Sequence, residues 1–367
     1  MRRAPELIAG GGPAGAAVAL LLARGGAMPV LIERSREPHD VVCGGFLGGD
    51  AIALLARLGV DPAALGAPAI RRARLIAGRR IAETDLPFAA AGLSRRTLDA
   101  TLLDRAAGEG ATIERGLAIR RVDLDQRCLH LGDETAIGAN AIFLATGKHE
   151  ARGAPRPTRS GDDPALGLRI RLEPSAALAR ALAGTIELHL FRGGYAGLLL
   201  QEDGGANLCL SVAQSRLQAA GGRPEQLIAA LAHEAPMLAD RFGAATGAGP
   251  WSTVARIPYG WRARRGRHGI FRLGDQAAVI ASLAGDGIAI ALDSAIRAAH
   301  AFLHDGAQAG PSFQSAFAAR ARRPVGVAGM LKHWGETPWV AGPMIALFRH
   351  APGLIRHAAA TTRIGAD

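Results

Sequence analysis

Apolar and polar positions along the chain change period several times, and each change marks an element. Residues 6–33, ELIAGGGPAGAAVALLLARGGAMPVLIE, predict a short apolar strand, a glycine turn, an alanine-rich helix and a second strand ending in Glu33. Alternating strand and helix signals fill residues 5–66 and 93–147, with a helix opening at Arg95 and running to Gly108. Between them, RRARLIAGRRIAETDLP predicts two short strands turning at Ala77-Gly78. Residues 165–213 are strand-like again, with turns at Gly193-Gly194 and Asp203-Gly204-Gly205. A helix from about Pro224 to Phe242 follows, then a strand in WSTVARIPYGW. From His268 the α/β pattern returns as HGIFRLGD, a loop, and a helix from Ile288 to about His304. On that helix Ile288, Leu292, Ile296, Ala299 and Leu303 form one apolar stripe. Beyond Pro324 the chain is apolar but broken by Pro338, Pro343 and Pro352, which predicts a small helical cap, with a tunnel wall or a membrane-surface contact as the alternatives.

The glycine turn carries chemistry. Gly10, Gly12 and Gly15 have G-x-G-x-x-G spacing between a strand and a helix. The first glycine permits the tight turn, the second lets a pyrophosphate approach the backbone, and the third lets helix and strand pack closely. The helix then begins with free N–H groups and the positive end of its dipole toward the phosphates. Glu33 follows Gly10 by 23 positions, where an acid can bind an adenosine ribose. Strand, turn, helix and distal acid together point to a dinucleotide. A ligand-free glycine turn would not explain Glu33.

Length, composition and charge narrow the setting. At 367 residues the chain has room for two or three compact units. Cys43, Cys128 and Cys209 form no C-x-x-C pair, which argues against a disulfide framework or a zinc ribbon and for a reducing cytoplasm. Residues 1–25 do not read as a signal peptide, and no apolar run reaches the length of a membrane span. The formal charge is +11, almost all arginine; Lys148 and Lys332 are the two lysines. These arginines are dispersed and aromatics are sparse, which excludes a stacking surface for nucleic acid. A coding bias toward arginine explains the charge; a docking patch for an acidic carrier protein, coenzyme A or anionic lipid is the second reading. His300 and His304 lack a third ligand and read as a solvated helix face, so no metal site is expected.

Three further segments extend the glycine motif. Arg95-x-x-Leu98-Asp99 opens a helix, Ala145-Thr146-Gly147 follows an apolar strand, and Gly274-Asp275 ends a strand before Gly285-Asp286-Gly287 opens the Ile288 helix. In this order, over roughly residues 5–320, the chain resembles flavoproteins of the p-hydroxybenzoate hydroxylase fold. That group includes aromatic-ring monooxygenases, flavin-dependent halogenases and geranylgeranyl reductases. The resemblance implies an α/β fold: a Rossmann-like FAD-binding domain, an inserted β-sheet substrate domain and a C-terminal helical cap. The expected boundaries are 1–67, 93–160 and 266–322 for the FAD-binding domain, 68–92 and 161–265 for the substrate domain, and 323–367 for the cap. It implies that Arg95 lies near the diphosphate and ribityl chain, that Asp275 binds a ribityl hydroxyl, and that the backbone of Gly285–Ile288 lies against the flavin ring. The full FAD set is then Gly10, Gly12, Pro13, Ala14, Gly15, Glu33, Arg34, Gly44, Arg95, Ala145, Thr146, Gly147, Gly274, Asp275, Gly285, Asp286, Gly287 and Ile288.

Cys43-Gly44-Gly45 discriminates within the group. Geranylgeranyl reductases carry a similar cysteine before glycines and a similar Gly-acid-Gly-Ile segment, matched by Gly285–Ile288. Cys43 is therefore the candidate catalytic residue, as a proton donor beside the ring; a packed small residue is the equal alternative. Tyr259 and Trp261 are the candidate substrate-pocket residues, chosen from His189, Arg192, Tyr195, Gln201, Tyr259 and Trp261 on the strands expected to roof the flavin. Trp251–Pro258, WSTVARIP, lacks the second tryptophan of the halogenase W-x-W-x-I-P segment, which argues against halogenation. No second G-x-G-x-x-G exists for NADPH, and Ala145-Thr146-Gly147 departs from the hydroxylases, so the external reductant, NADPH or another donor, stays open. The expected function is a cytoplasmic FAD-dependent oxidoreductase acting on a small apolar molecule, polyprenyl or polyketide-derived, with hydride transfer to or from a C=C bond. The alternatives are a flavin hydroperoxide monooxygenase of an aromatic or polyketide ring and a flavin-binding protein without turnover. Expected partners are the apolar substrate, an acidic carrier protein or a reductase, no nucleic acid, and at most a peripheral membrane contact.

Overall fold

The structure, a computed structural model, describes residues 2–156 and 163–365. Two sheets organise it. The first has seven strands, in the order Thr112–Arg115, Val30–Glu33, Arg2–Ala9, Ala136–Leu144, Cys128–Leu131 and Ile119–Asp123, with Ile270–Arg272 also pairing to Ala136–Leu144. Its centre is parallel: Leu7 lies opposite Val30 on one side and Ile142 on the other, and Ile270 lies opposite Ile142. Parallel strands need crossovers: helix Pro13–Arg24 joins Arg2–Ala9 to Val30–Glu33 and packs on both, and helix Gly287–Asp305, which follows the last strand, packs against it. Strands buried on both faces read as continuous apolar runs, which is why Ala141–Leu144 is entirely buried. Phe143 stacks on Phe271 at 4.8 Å, with Phe302 set edge-on to both.

The second sheet has eight strands, in the order Ser252–Ile257, Ala165–Leu172, Ala206–Ala213, Gly194–Leu200, Thr185–Phe191, Ala69–Ala77, Arg80–Gly92 and Phe46–Leu47. It is antiparallel except where Thr185–Phe191 runs parallel to Ala69–Ala77. The expected hairpin at Ala77-Gly78 forms, with Gly78 at φ 60°, but its strands run nine and thirteen residues and are not short. Strand alternation sorts the faces: Ile186, Leu188 and Leu190 line a cleft, while Glu187 and His189 between them turn to the other face.

Three departures from the sequence expectation have local causes. The single helix expected over 224–242 is two, Pro224–Leu231 and Pro236–Gly243, because Pro236 cannot donate within a helix. Phe46–Leu47, expected within the FAD-binding part, pairs with Ala91 and Gly92 of the second sheet. The boundary expected at 160/161 lies outside the described residues. The C-terminal segment forms the helical cap as helices Arg322–Gly335, Pro338–His350 and Gly353–Thr361. No helix among the described residues is long and apolar enough to cross a membrane.

Candidate functional site

The two sheets and the cap enclose one cleft of ≈ 2060 Å³, including the space at its mouth. Its floor is built at the C-terminal ends of the parallel strands and the helix starts that follow: Gly12, Pro13 and Ala14, Ala145, Gly147 and Lys148, Gly274 and Asp275, and Gly285, Gly287 and Ile288. Its roof is the second sheet, with Leu75, Leu188, Tyr195 and Cys209. One wall is the cap, with Leu331, Met344, Phe348 and Ile355.

The glycine turn is under strict backbone constraint. A Cβ on Gly15 would lie 1.9 Å from the Gly10 carbonyl oxygen, and one on Gly10, at φ 105°, would lie 2.6 Å from the Ala145 carbonyl oxygen. Strand ends and helix start therefore meet backbone to backbone. Helix Pro13–Arg24 begins at extended Gly12 with no side-chain cap and no acid in its first turn. Helix Gly287–Asp305 likewise has no side-chain cap. Two helix N-termini thus present uncapped donors to one cleft. A Cβ on Gly44, Gly147 or Gly287 would meet nothing within 4 Å, so the backbone there borders open space. Uncapped N–H donors, room at the backbone and an acid on the neighbouring strand form a donor set that fits a dinucleotide carrying a diphosphate.

Glu33 stands beside this turn. Its Oε2 accepts from the Gly11 N–H at 2.7 Å and its Oε1 from the Ser35 N–H at 2.8 Å. The same carboxylate therefore holds the glycine loop in shape. Arg95 meets the loop from the opposite direction, with its Nη2 3.1 Å from where a Gly12 Cβ would sit. It donates twice to Asp99, at 2.8 and 2.6 Å. Burial works against the Arg95 charge, but Asp99 and then the neighbouring Cys43 thiol more than offset it and hold its pKa above the ordinary arginine value.

Cys43, half-buried, lines the cleft. Its loop is pinned to the roof sheet: Asn207 Nδ2 donates to the Cys43 carbonyl at 3.0 Å and to the Gly44 carbonyl at 2.8 Å. Arg169 Nε donates to Asn207 Oδ1 at 2.7 Å, and Arg169 Nη2 reaches Asp40 at 2.9 Å. This chain of contacts fixes where the thiol stands relative to both sheets. Cys209, across the roof, has its thiol pushed up to about 12 by burial and by Cys43. It is a neutral packing group.

Lys148 was not singled out from sequence and is central. Its Nζ donates to the Val42 carbonyl at 3.2 Å and lies 4.0 Å from Asp275. Burial disfavours its charge, but Asp275 first, then Cys43 and Tyr259, hold it above the ordinary lysine value. Lys332 Nζ, paired with Glu336 at 2.6 Å, stands 5.4 Å from the Tyr259 ring centroid. Tyr259 hydrogen bonds to Ser282 and lines the cleft beside Tyr195. Both lysines and both tyrosines of the chain therefore gather around one site; the sequence shows that each type is rare but not that the four meet. Ser211, in register with Tyr195 on the next strand, lines the cleft with a buried hydroxyl that has no hydrogen-bond partner among the described residues.

Several expected site residues lie elsewhere. Trp261 does not line the cleft; it packs against Val254, Ile257 and Val279 and stacks under Arg272 at 5.7 Å. The Asp286 carboxylate turns away from the cleft to Arg363 at 2.9 Å and the Ile364 N–H at 2.9 Å, so it ties the chain's last segment to the helix start. Burial pushes its pKa up to about 6 against the pull of Arg363. Arg34 is exposed and donates to His149, and the Thr146 hydroxyl donates to the His149 carbonyl; neither lines the cleft. His189 belongs to a buried network with Glu187 on the far face, and the Gln201 and Arg192 side chains do not line the cleft either. Asp275 and Gly274 do, Gly274 donating its N–H to Ser294 at 2.8 Å.

With this geometry in view, the comparisons with known proteins are specific about the floor. Residues 3–130 match the FAD binding domain family. A chloroplastic geranylgeranyl diphosphate reductase of Oryza sativa subsp. japonica is 36% identical over 124 residues, 32% of this chain and 26% of that one. A menaquinone reductase of Mycolicibacterium smegmatis is 28% identical over 162 residues, 41% of this chain and 39% of that one. The chain thus aligns with well under half the length of either relative. Solved structures match along nearly the whole chain. PqsL, a probable FAD-dependent monooxygenase from Pseudomonas aeruginosa, has a TM-score of 0.72 at 18% identity, covering 93% of this chain and 99% of that one. The flavin-dependent brominase Bmp2 has a TM-score of 0.80 at 16% identity, covering 99% and 94%. These structural likenesses establish the fold. Residues 3–130 match an FAD binding domain, the chain has the p-hydroxybenzoate hydroxylase fold, and the cofactor this match supports is FAD.

Proposed function

We propose that the chain is an FAD-dependent oxidoreductase that acts on a C=C bond of a small apolar molecule, with a polyprenyl or polyketide-derived skeleton. The observation that carries this reading is the composition of the cleft between the two sheets and the cap. Its floor is the donor-rich FAD cradle, and its roof and wall are largely apolar, with Leu75, Leu86, Phe88, Leu188, Met344 and Phe348. Burying such a surface against an apolar molecule contributes roughly 25 cal/mol per Å².

When bound, FAD supplies two-electron redox chemistry on the floor of that cleft. Gly12 to Ala14, Arg95 and Asp275 are suited to hold its diphosphate and ribityl chain, and Glu33 its adenosine end. The uncapped N-terminus of helix Gly287–Asp305 favours negative charge next to Gly287 and Ile288. The residues of the cleft then have distinct tasks. The apolar roof and cap exclude water from the substrate. The Cys43 Sγ, fixed by Asn207 and Arg169, donates or accepts a proton at the substrate carbon. The Lys148 ammonium, oriented by Asp275 and the Val42 carbonyl, and the Ser211 hydroxyl hold a polar group of the substrate.

Product analysis tests the reading. Holo-protein is supplied with a chemical reductant and a panel of polyprenyl and polyketide-like olefins, with oxygen excluded and then in air. Products that gain two hydrogens without oxygen support it. A product that forms only in air and gains an oxygen atom would replace it with monooxygenation on the same fold.

A further inference from the structure

The chain keeps most of its exposed large apolar side chains in one region. Eight such residues stand out among the described residues, and five of them, Met330, Trp334, Trp339, Leu347 and Leu354, lie on the three cap helices. A sixth, Ile81, lies at the tip of the Ala69–Gly92 hairpin, which packs beside Ile345 and Arg349 of the cap. Trp339 is 79% exposed. Isolated exposed apolar residues are ordinary, but a contiguous group marks a contact surface.

Helix Pro338–His350 is apolar on every side for its first eleven residues, PWVAGPMIALF. A helix of that kind is buried or sits in an apolar medium. Here Ala341 and Ile345 are buried, and Met344 and Phe348 line the cleft, while Trp339, Pro343, Ala346 and Leu347 form an exposed stripe at positions i, i+4, i+7 and i+8. The neighbouring helices repeat the arrangement. Exposed Met330 adjoins cleft-lining Leu331, and exposed Leu354 adjoins cleft-lining Ile355. The cap is thus one layer thick, with one apolar face on the cleft and another facing outward.

Charge surrounds the outward face. Of the seven arginines and lysines between residues 306 and 366, Arg320 and Arg363 pair inward with Asp293 and Asp286 and Lys332 pairs with Glu336, while Arg322, Arg323, Arg349 and Arg356 are exposed. Arg349, His350, Arg356 and His357 stand exposed around the stripe, and Arg79 and Arg80 approach it from the hairpin tip. A tryptophan and aliphatics ringed by cations are the side chains that lie at the headgroup boundary of an anionic bilayer.

We propose that the cap is a membrane-docking surface: its outer face lies on an anionic lipid bilayer, and its inner face delivers a lipid-dissolved substrate into the cleft. Docking goes beyond the proposed reaction and can be tested without turnover. Holo-protein is sedimented with vesicles of phosphatidylcholine alone and of phosphatidylcholine with phosphatidylglycerol, at low and at raised salt. The expected result is sedimentation with the anionic vesicles, weakened by salt. In Trp339→Ser/Leu347→Gln, whose side chains point away from the cleft, partitioning should fall at least tenfold while bound flavin is retained. Equal behaviour of the variant and the unaltered protein would overturn the proposal, as would no sedimentation with either vesicle. Light scattering is the second measurement: a dimer that the double substitution dissociates would assign the face to a second copy of the chain and overturn docking as well.

Discussion

Glu33 shapes the glycine loop and keeps room to bind a ligand as well. Its two oxygens already accept from Gly11 and Ser35, and each oxygen keeps a further acceptor position. Glu33→Ala should therefore weaken FAD binding by about 1–3 kcal/mol, through lost ribose contacts and a loosened glycine loop. Fluorescence titration of the apoprotein with FAD measures this, and unchanged affinity would move the ribose to another residue. Cys43 makes a separate claim. Cys43→Ser is nearly isosteric, and Asn207 holds the loop through backbone carbonyls that the substitution leaves in place. FAD content should stay normal while the substrate-dependent step slows by roughly tenfold or more, because serine is a much poorer acid. Full activity in that variant would make the cysteine a packing residue. The glycines, Glu33, Cys43 and Asp275 were legible in the sequence because each sits at a fixed offset from a strand end or helix start. Asn207 and Arg169 were not, because they reach Cys43 and Asp40 across more than a hundred residues of chain. The Asp286 side-chain tie was equally hidden: the backbone of its segment borders the cleft as expected of a helix start, but its carboxylate partner, Arg363, lies 77 residues further on.

At the level of elements, the tightest joint is the strand–turn–helix at Gly10–Gly15. Gly15→Ala would put a methyl group against the Gly10 carbonyl, and the turn could accept it only by moving backbone. A loss of about 1–3 kcal/mol in stability, together with poor FAD retention, is expected. Gly44→Ala meets open space and should leave stability nearly unchanged, so thermal unfolding of the two variants separates packing from occupancy of the cleft. The second sheet carries its own polar lock. Glu187, with its side chain fully buried, is opposed by burial but held down to about 2 by His189, Arg241 and Arg74. A carboxyl whose folded pKa lies below its ordinary value stabilises the fold above that ordinary value and loses the contribution as pH falls toward the folded one. The difference from the ordinary 4.5 corresponds to about 3 kcal/mol. Glu187→Gln should thus be destabilising near neutral pH, and its deficit should shrink between about pH 4.5 and pH 2. Denaturant unfolding across that range tests the sign; a deficit independent of pH would show that Glu187 acts through packing. Elements were the most legible level: helices Arg95–Gly108 and Gly287–Asp305 announce themselves by spacing and by flanking glycine or serine. The pairing of Phe46–Leu47 with the second sheet, and the face on which each second-sheet residue lands, depend on register, which short alternating strands leave open.

For the molecule as a whole, three layers define the chemistry that fits. The first sheet and its helix N-termini offer donors to an anionic cofactor, the second sheet offers a largely apolar roof, and the cap closes the side with Met344, Phe348 and Ile355. Trp261 shows the limit of reading this arrangement from a strand alone: two residues beyond Tyr259, it packs under Arg272 outside the cleft, because a turn at Gly260 separates them. On the proposed reading, cofactor and substrate share one cleft, so electrons held by the bound flavin should be available to an apolar olefin that enters it. Single-turnover oxidation measures this directly. The holo-protein is reduced without air, mixed with a polyprenyl olefin, and followed by the absorbance of its bound flavin. Return of the oxidised spectrum in step with loss of the olefin, and its absence when the olefin is replaced by the saturated hydrocarbon, is the expected result. A reduced flavin that stays reduced with every olefin and is oxidised only on admission of oxygen would contradict it.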